Sequence, residues 1–348
     1  MRIANIMCSR VLGGVEQAFL NYNKALAIEN NEVYAFYNTF GKIKSKLEVN
    51  KNIIYLPSLF FKPYFLMFPY YYFKIKKLKI DVIIVQSKKI LPLFSKIGKI
   101  LKIPVIIVAH NEKTKLLNKA DYIFSITKYQ KNIFIKNGFD KDKIFVIPNL
   151  IDFKKDFKEL KNFNDPVTFG VIGRFDPMKG FKTFVNACKI LKENDVKFRA
   201  VIGGAPQKQY INEYNEILSS IKENNLTDNF ELLGWVKNKD NFYNKIDIFV
   251  LPSNYEPFGI VLLEAMMYSK PIISSLAEGP KEILNNKNVA LMFNANDYNE
   301  LAHLMQELIN NQKLAKSIAE MSYKLVNTEY TIEKVASDLN SIIKLFVE

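Results

Sequence analysis

The sequence predicts an α/β protein built as two successive α/β halves. Short apolar runs of four to six residues recur along the chain with long connections between them, the pattern of a mainly parallel sheet. The strand–loop–helix pattern starts at residue 3 and restarts at residue 167, after a charged stretch. A length of 348 residues suits two domains better than one.

In the first half, residues 3–8 read as a strand. Gly13-Gly14 follow, then a helical pattern at Val15, Ala18, Phe19, Tyr22 and Leu26. A glycine pair there lets backbone amides approach a phosphate, or serves the geometry of a tight turn alone. Further strands are expected at 33–37, 53–56, 82–85, 105–108, 122–126 and 144–147. His110 closes one of them in Ala-His-Asn111, at the carboxyl edge where open α/β sheets take ligands. The other histidine, His303, lies in the amphipathic run 301–308 and reads as structural.

Between two of these strands, residues 60–80 interleave Phe and Tyr with Lys62, Lys74, Lys76, Lys77 and Lys79. One reading is an interfacial patch whose rings enter a headgroup layer while lysines meet anionic lipid. The other is a core helix with a solvated lysine face.

Residues 153–166 are charged and end in Asn-Asp-Pro, which places a linker there and domains at 1–160 and 161–330. The second half opens with a strand at 167–172, then Gly173-Arg174 and Lys179-Gly180, then a helix. A guanidinium and an ammonium five residues apart at such a junction suit a diphosphate. Strands at 198–202, 229–233, 246–251 and 271–274 follow, the first ending in Gly203-Gly204 and the second in Gly234-Trp235. Residues 331–348 read as one terminal helix.

Net charge is +14, of which residues 1–165 carry +16 and residues 166–348 carry −2. Such asymmetry points to an anionic partner, or to a lysine-rich proteome. Nucleic acid is not expected, because no recognised binding module accompanies the charge. Cys8 and Cys188 lie far apart, giving no disulfide framework and no zinc spacing, as in a reducing cytoplasm. The first apolar run is too short for a signal peptide, and 60–73 falls short of the ~20 residues needed to span a bilayer.

Residues 252–264, Pro-Ser-Asn-Tyr-Glu-Pro-Phe-Gly-Ile-Val-Leu-Leu-Glu, carry the densest chemistry. A helix is expected from Phe258, amphipathic, with Glu256 in the loop before it and Glu264 about two turns in, roughly 12 Å away. The amides of Phe258, Gly259 and Ile260 lie between the acids, at a helix N-terminus that favours phosphate. This string resembles the Glu-x7-Glu element of retaining glycosyltransferase family 4. Gly13-Gly14-x-Glu16, His110-Asn111, Ile147-Pro-Asn149, Arg174 with Lys179-Gly180, and Gly279-Pro resemble other elements of that family, in the expected order. Leu150 and Glu278 stand where the family often has glycine.

The resemblance implies a GT-B fold: two Rossmann-like domains facing a central cleft, with the C-terminal helix 331–348 crossing back to the first. It implies retaining transfer of a hexose or N-acetylhexosamine from a nucleotide-sugar, UDP by default, to a hydroxyl of a glycan or lipid-linked acceptor in cell-surface polysaccharide or lipopolysaccharide synthesis. Catalytic roles fall to His110, Glu256, Arg174 and Lys179. Donor binding adds Gly13, Gly14, Gly204, Gly234, Trp235, Phe258, Gly259, Ile260 and Glu264, and the acceptor side Asn111, Thr127 and Asn149. Trp235 reads equally as a core or lid residue. No Asp-x-Asp pair or carboxylate cluster is positioned for a metal, so neither a metal nor any other cofactor is expected. The expected location is the cytoplasmic face of an anionic membrane. An inverting GT-B transferase, an inactive nucleotide- or sugar-binding protein, and a nucleic-acid-binding protein are the alternatives.

Overall fold

The structure, a computed structural model, describes residues 1–11, 13–160, 162–284 and 288–347. The chain folds as two units, one of Met1–Asp152 with Glu329–Glu348 and one of Phe153–Thr328. The division falls earlier than the expected 160/161 because the linker hydrogen-bonds into the second unit. Lys155 Nζ reaches Asp240 at 2.8 Å, the Lys158 amide donates to Ser269 Oγ, and Asn164 donates to Asp247.

The first unit runs β1 (Arg2–Met7), α1 (Gly14–Ala27), β2 (Glu32–Asn38), β3 (Ile53–Ser58), α2 (Phe68–Leu78), β4 (Val82–Val85), α3 (Leu91–Leu101), β5 (Val105–Ala109), β6 (Tyr122–Ser125), α4 (Lys128–Lys136) and β7 (Ile144–Val146). Among the described residues these strands form one sheet, ordered β3-β2-β1-β4-β5-β6-β7, with all pairs parallel. The central strands are unbroken apolar runs because helices cover both faces. Strand order reverses between β1 and β4, and in open α/β sheets ligands bind at the carboxyl ends of strands at such a reversal.

The aromatic–lysine segment forms a helix with a buried face, as in the second of its readings. A turn at Tyr64–Met67 leads into α2, whose Tyr71 and Ile75 are buried. Tyr71 packs on Phe36, Phe60 and Phe94. The outer face exposes Phe65, Leu66, Tyr70 and Phe73. Lys74 lies over the rings of Phe36 and Tyr70, and Lys76 over Tyr72.

The second unit runs β8 (Val167–Ile172), α5 (Phe181–Glu193), β9 (Phe198–Gly203), α6 (Ile211–Glu223), β10 (Phe230–Gly234), α7 (Lys239–Tyr243), β11 (Ile248–Leu251), α8 (Ile260–Met267), β12 (Ile272–Ser275), α9 (Glu278–Leu284), β13 (Leu291–Phe293), α10 (Tyr298–Asn310) and α11 (Gln312–Glu329). Its sheet is ordered β10-β9-β8-β11-β12-β13, again all parallel. The three-residue β13 escaped sequence reading because so short a run carries no period. Two expectations for α8 fail. It begins at Ile260, so Glu264 is its fifth residue, just over one turn in. Nor is it amphipathic: Leu262 through Met267 are all buried, as in a helix enclosed by protein.

The last helix, α12 (Ile332–Val347), belongs to the first unit, where it packs along α1. The expected last helical position, Glu348, lies outside the described residues. Asn340 fixes the helix. Its Nδ2 donates to the Ala25 carbonyl, and its Oδ1 accepts from Asn31 at 2.7 Å, with both asparagines buried. Phe346 stacks on Tyr122 at 3.7 Å between centroids. Asn340→Ala leaves two buried polar groups without this partner, a cost of about 1–3 kcal/mol. For a unit of this size the melting temperature of the first unit should fall by roughly 2–4 °C per kcal/mol. Thermal denaturation reads the shift, and an unchanged melting temperature would refute the role given to Asn340.

Candidate functional site

In the second unit, β8 and β11 are neighbours, with Ile248 opposite Phe169, so the loops leaving them emerge side by side at the reversal of strand order. After β8 the chain makes a short turn at Pro177–Lys179, capped by Asp176, whose side chain accepts from the Met178 amide. Gly180 then adopts φ +66, and a Cβ there would lie 1.9 Å from the Pro252 carbonyl oxygen. Only glycine permits that approach. The Asn254 amide donates to the Met178 carbonyl at 2.8 Å, so the two loops are joined backbone to backbone.

This junction sets the chemistry. Lys179 Nζ meets Glu256 Oε2 at 2.6 Å, with side-chain exposures of 21% and 11%. Arg174 stays on the same loop but pairs with Asp176 at 3.2 Å. The two cations of the expected diphosphate clamp are thus each held by a different acid. Gly279 seals the other side. Its amide donates to the Glu256 carbonyl, and a Cβ would press on that carbonyl and on the Phe258 amide at 2.6 and 2.5 Å. Gly259, at φ +104, caps α8, and Ile260 is its first residue. Gly204 backs onto the Gly173 carbonyl, Gly234 ends β10, and Trp235 beyond it is half exposed.

Glu264 is buried, and its Oε2 accepts from the Tyr243 hydroxyl at 3.0 Å and pairs with Lys239 at 2.8 Å. Tyr243 in turn stacks on Tyr268 at 4.6 Å. Sequence reading missed Lys239 and Tyr243, because only the fold of α7 against α8 brings them to the carboxylate.

In the first unit, Gly13 caps α1 in an extended conformation, and a Cβ at Gly14 would meet nothing within 4 Å. His110 leaves β5 and meets Gln86, at the end of β4, with Nε2 at 2.8 Å from Gln86 Oε1. Burial, seconded by the charge of Lys88, lowers the His110 pKa to about 4. Lys88 itself is lowered to about 8, mainly by burial. Its ammonium donates to Asn111 Oδ1 at 3.0 Å and to the Lys113 carbonyl. Neither Gln86 nor Lys88 was a sequence candidate, since nothing in a strand-end Gln-Ser-Lys marks it.

Of the three residues expected on the acceptor side, two are buried. Thr127 is buried and caps α4, accepting from the Gln130 amide. Asn149 is buried too, and its Oδ1 makes no hydrogen bond among the described residues. Leu150, in a glycine's usual place, is buried without positive φ, and its carbonyl accepts from Asn21. His303, expected to be structural, is exposed on α10. Asp140 and Asp142 form an Asp-x-Asp pair, but Asp140 caps its own turn. Among the described residues no three His, Cys, Asp or Glu side chains gather to hold a metal ion. No helix among them is long and apolar enough to cross a membrane.

Two family models match, "Glycosyl transferases group 1" over residues 152–325 and "Glycosyltransferase Family 4" over residues 12–155. The chain is 30% identical over 237 residues to the glycosyltransferase MJ1178 of Methanocaldococcus jannaschii, covering 63% of this chain and 62% of that protein. It is 23% identical to the capsular polysaccharide biosynthesis glycosyltransferase CapM of Staphylococcus aureus, over 68% of this chain and 64% of CapM. The chain thus spans just under two thirds of the length of both. The crystal structure of Anabaena HepE in complex with UDP superposes with a TM-score of 0.85 at 17% identity, covering 99% of this chain and all of that one, and so has the same fold.

The lowered pKa of His110 makes stability depend on pH. The folded value of about 4 lies below the ordinary histidine value of 6.5, so the unfolded chain binds more protons between them. Stability is therefore lost as pH falls from 6.5 towards 4, by at most about 3 kcal/mol from this group. Melting curves across that window should fall less steeply for His110→Asn than for the wild type. Parallel declines would show that His110 is not held neutral.

Proposed function

The chain belongs to the glycosyl transferases group 1 family, and on that premise we propose that it is a retaining glycosyltransferase. It would move a hexose or N-acetylhexosamine from a nucleotide-sugar, UDP-linked by default, to a hydroxyl of a cell-surface glycan or its lipid-linked precursor. The observation that carries this reading is the Lys179–Glu256 pair, set at the strand-order reversal of the second unit by the close approach of Gly180 to Pro252. It offers one cation for a diphosphate and one carboxylate for sugar hydroxyls within a single contact.

The transfer breaks the bond between the anomeric carbon and the diphosphate oxygen and forms one to the acceptor oxygen. The acceptor's proton passes to the departing phosphate on the same face of the sugar, which retains configuration. Lys179 and Arg174 stabilise the negative charge that grows on the leaving group, with the first-turn amides of α8. Glu256 binds sugar hydroxyls and steadies positive charge near the ring. Glu264, held by Tyr243 and Lys239, is proposed to accept from ribose hydroxyls. The two cationic side chains are proposed to do what a divalent ion does elsewhere, so no metal is required. From the first unit, His110 is proposed to accept a sugar hydroxyl as a neutral base.

The acceptor reading draws support from CapM and from the first unit itself. The turn before α2 and the outer face of the helix combine exposed Phe65, Leu66 and Phe73 with lysines, the composition that binds an anionic lipid surface. We therefore propose peripheral attachment to an anionic membrane, the cytoplasmic leaflet by default, where a lipid-linked acceptor is presented.

Two experiments test this. In a thermal-shift panel of UDP, GDP, ADP and CMP with their sugar conjugates, one base should stabilise the protein by roughly 2.7 kcal/mol at 100 times its dissociation constant. The shift should survive EDTA, and Lys179→Ala and Glu256→Ala should stay folded but lose about 10²–10³-fold in turnover of that donor. Near-normal turnover in both variants, or a product of inverted anomeric configuration, would refute the assignment. Separately, replacing Lys74, Lys76 and Lys77 with Gln removes about 1 kcal/mol per lysine from vesicle attachment. Binding to anionic vesicles should weaken roughly 100-fold. Unchanged binding would remove the membrane from the proposal.

A further inference from the structure

A line of three amide side chains runs behind His110 through the interior of the first unit. His110 Nε2 lies 2.8 Å from Gln86 Oε1, Gln86 Nε2 donates to Asn5 Oδ1 at 3.0 Å, and Asn5 Nδ2 donates to Asn23 Oδ1 at 2.7 Å. Asn5 sits on β1, Gln86 just past β4 and Asn23 on α1, and all three are at most 3% exposed. Asn5 is opposite Ile84 in the sheet, between the apolar run of β4 and apolar neighbours Ala4 and Ile6 on its own strand.

Burying three primary amides in such a sheet costs several kcal/mol unless each finds a partner. They find one another, in a row that ends on the imidazole. A role in stability alone does not call for this arrangement, since valine or isoleucine would fill a β-strand interior at less cost. The row also has a direction. An amide that accepts through its oxygen donates through its nitrogen, so the sense of one bond sets that of the next. With Gln86 Oε1 towards the imidazole, Nε2 must carry the proton. Nδ1, which makes no hydrogen bond among the described residues, is then left as an acceptor.

We propose that Gln86, backed by Asn5 and Asn23, is a positioning residue that locks His110 in its Nε2–H tautomer and presents Nδ1 as a hydrogen-bond acceptor at the carboxyl edge of the first sheet. The neutrality of His110 above about pH 4 fits this, because a proton on Nδ1 would remove the acceptor. Lys88 is the charged group that acts on the ring, and it opposes that proton too. Lys88 also ties Asn111 and the Lys113 carbonyl, so one strand end holds both the ring and the loop that follows it. The opposite polarity of the whole row, with Asn23 Nδ2 now donating, gives the Nδ1–H tautomer. Asn23 Nδ2 is buried and without a partner in the present sense, so the alternative is a definite one.

The use of Nδ1 in transfer rests on the reading of the chain as a glycosyltransferase, but the tautomer does not. The chain has two histidines, so nitrogen-15 NMR of protein labelled in histidine, with His303→Asn to assign the pair, reads His110 directly. The wild type should show Nε2–H with a bare Nδ1 at pH 7. Gln86→Leu should give exchange-averaged nitrogens and, with the donor that the thermal-shift panel identifies, a kcat lower by on the order of 10- to 100-fold at nearly constant KM. Gln86→Glu keeps an acceptor in place, so it should keep Nε2–H and raise the His110 pKa; it carries the test if Gln86→Leu does not fold. An Nδ1–H tautomer in the wild type, a Gln86→Leu spectrum like the wild type, or an unmoved pKa in Gln86→Glu would overturn the proposal. A changed tautomer with unchanged kcat would overturn its bearing on transfer. Failure of the wild type to use any nucleotide-sugar would count against the glycosyltransferase reading and leave the tautomer result standing.

Discussion

The candidate site of the second unit depends on one steric constraint, the absence of a side chain at Gly180. The Pro252 carbonyl occupies the space a Cβ would need, at 1.9 Å, so the loop after β8 and the loop after β11 touch through their backbones. A side chain there would push the loops apart by more than an ångström, and Lys179 could no longer reach Glu256 at 2.6 Å. Gly279 imposes the same kind of contact from the first turn of α9, which follows β12, against Glu256 and Phe258. Three strand exits are thus set against one another by main chain, which has no rotamers to lose. A charged pair mounted on main-chain contacts is better fixed than one mounted on side-chain packing, and fixed charge is what transfer from a diphosphate requires.

How far the sequence disclosed this varies with the physical origin of each feature. The parallel sheets were legible because strands buried on both faces are continuous apolar runs, and residues 82–85 and 167–172 agree with β4 and β8 to the residue. The α8 helix was legible only as a helix. Its apolar positions suggested one wet face, but Glu264 turns inward, where it pairs with Lys239 and accepts a hydrogen bond from Tyr243, both from a different helix. Glu256 and Lys179 were legible as residue types within a motif, yet their pairing was not, since 77 residues separate them and only the adjacency of β8 and β11 joins them. Gln86, Asn5 and Asn23 were invisible for the same reason. An asparagine within a strand pattern reads as a blemish in the period until the fold places another amide beside it.

The first unit solves a different problem from the second. Where the second unit sets charges against one another, the first buries neutral amides around a neutral imidazole. In a low-dielectric interior a charged partner beside His110 would drag its pKa and its tautomer with every change in the surroundings. A glutamine accepts a hydrogen bond without bringing charge, and it is itself held by a second amide. That is a way to specify orientation while leaving the ring a weak base with one open nitrogen.

The uneven charge of the two units follows from the same contrast. The second unit uses its cations in pairs: Arg174 with Asp176, Lys179 with Glu256, Lys182 with Glu213, Lys239 with Glu264. Such charges cancel at a distance and act only where an anion enters between them. On α2, by contrast, Lys74 and Lys76 lie over aromatic rings, and Lys74, Lys76 and Lys77 make no ion pair among the described residues. A ring quadrupole holds an ammonium without neutralising it. The field of these lysines therefore reaches outward by a Debye length, about 8 Å at physiological salt. That reach acts on an extended anionic surface and is wasted on a single small ligand. The excess charge of residues 1–165 is thus of the kind the proposed membrane attachment calls for, and the balanced charge of the second unit is of the kind the proposed small-ligand site calls for.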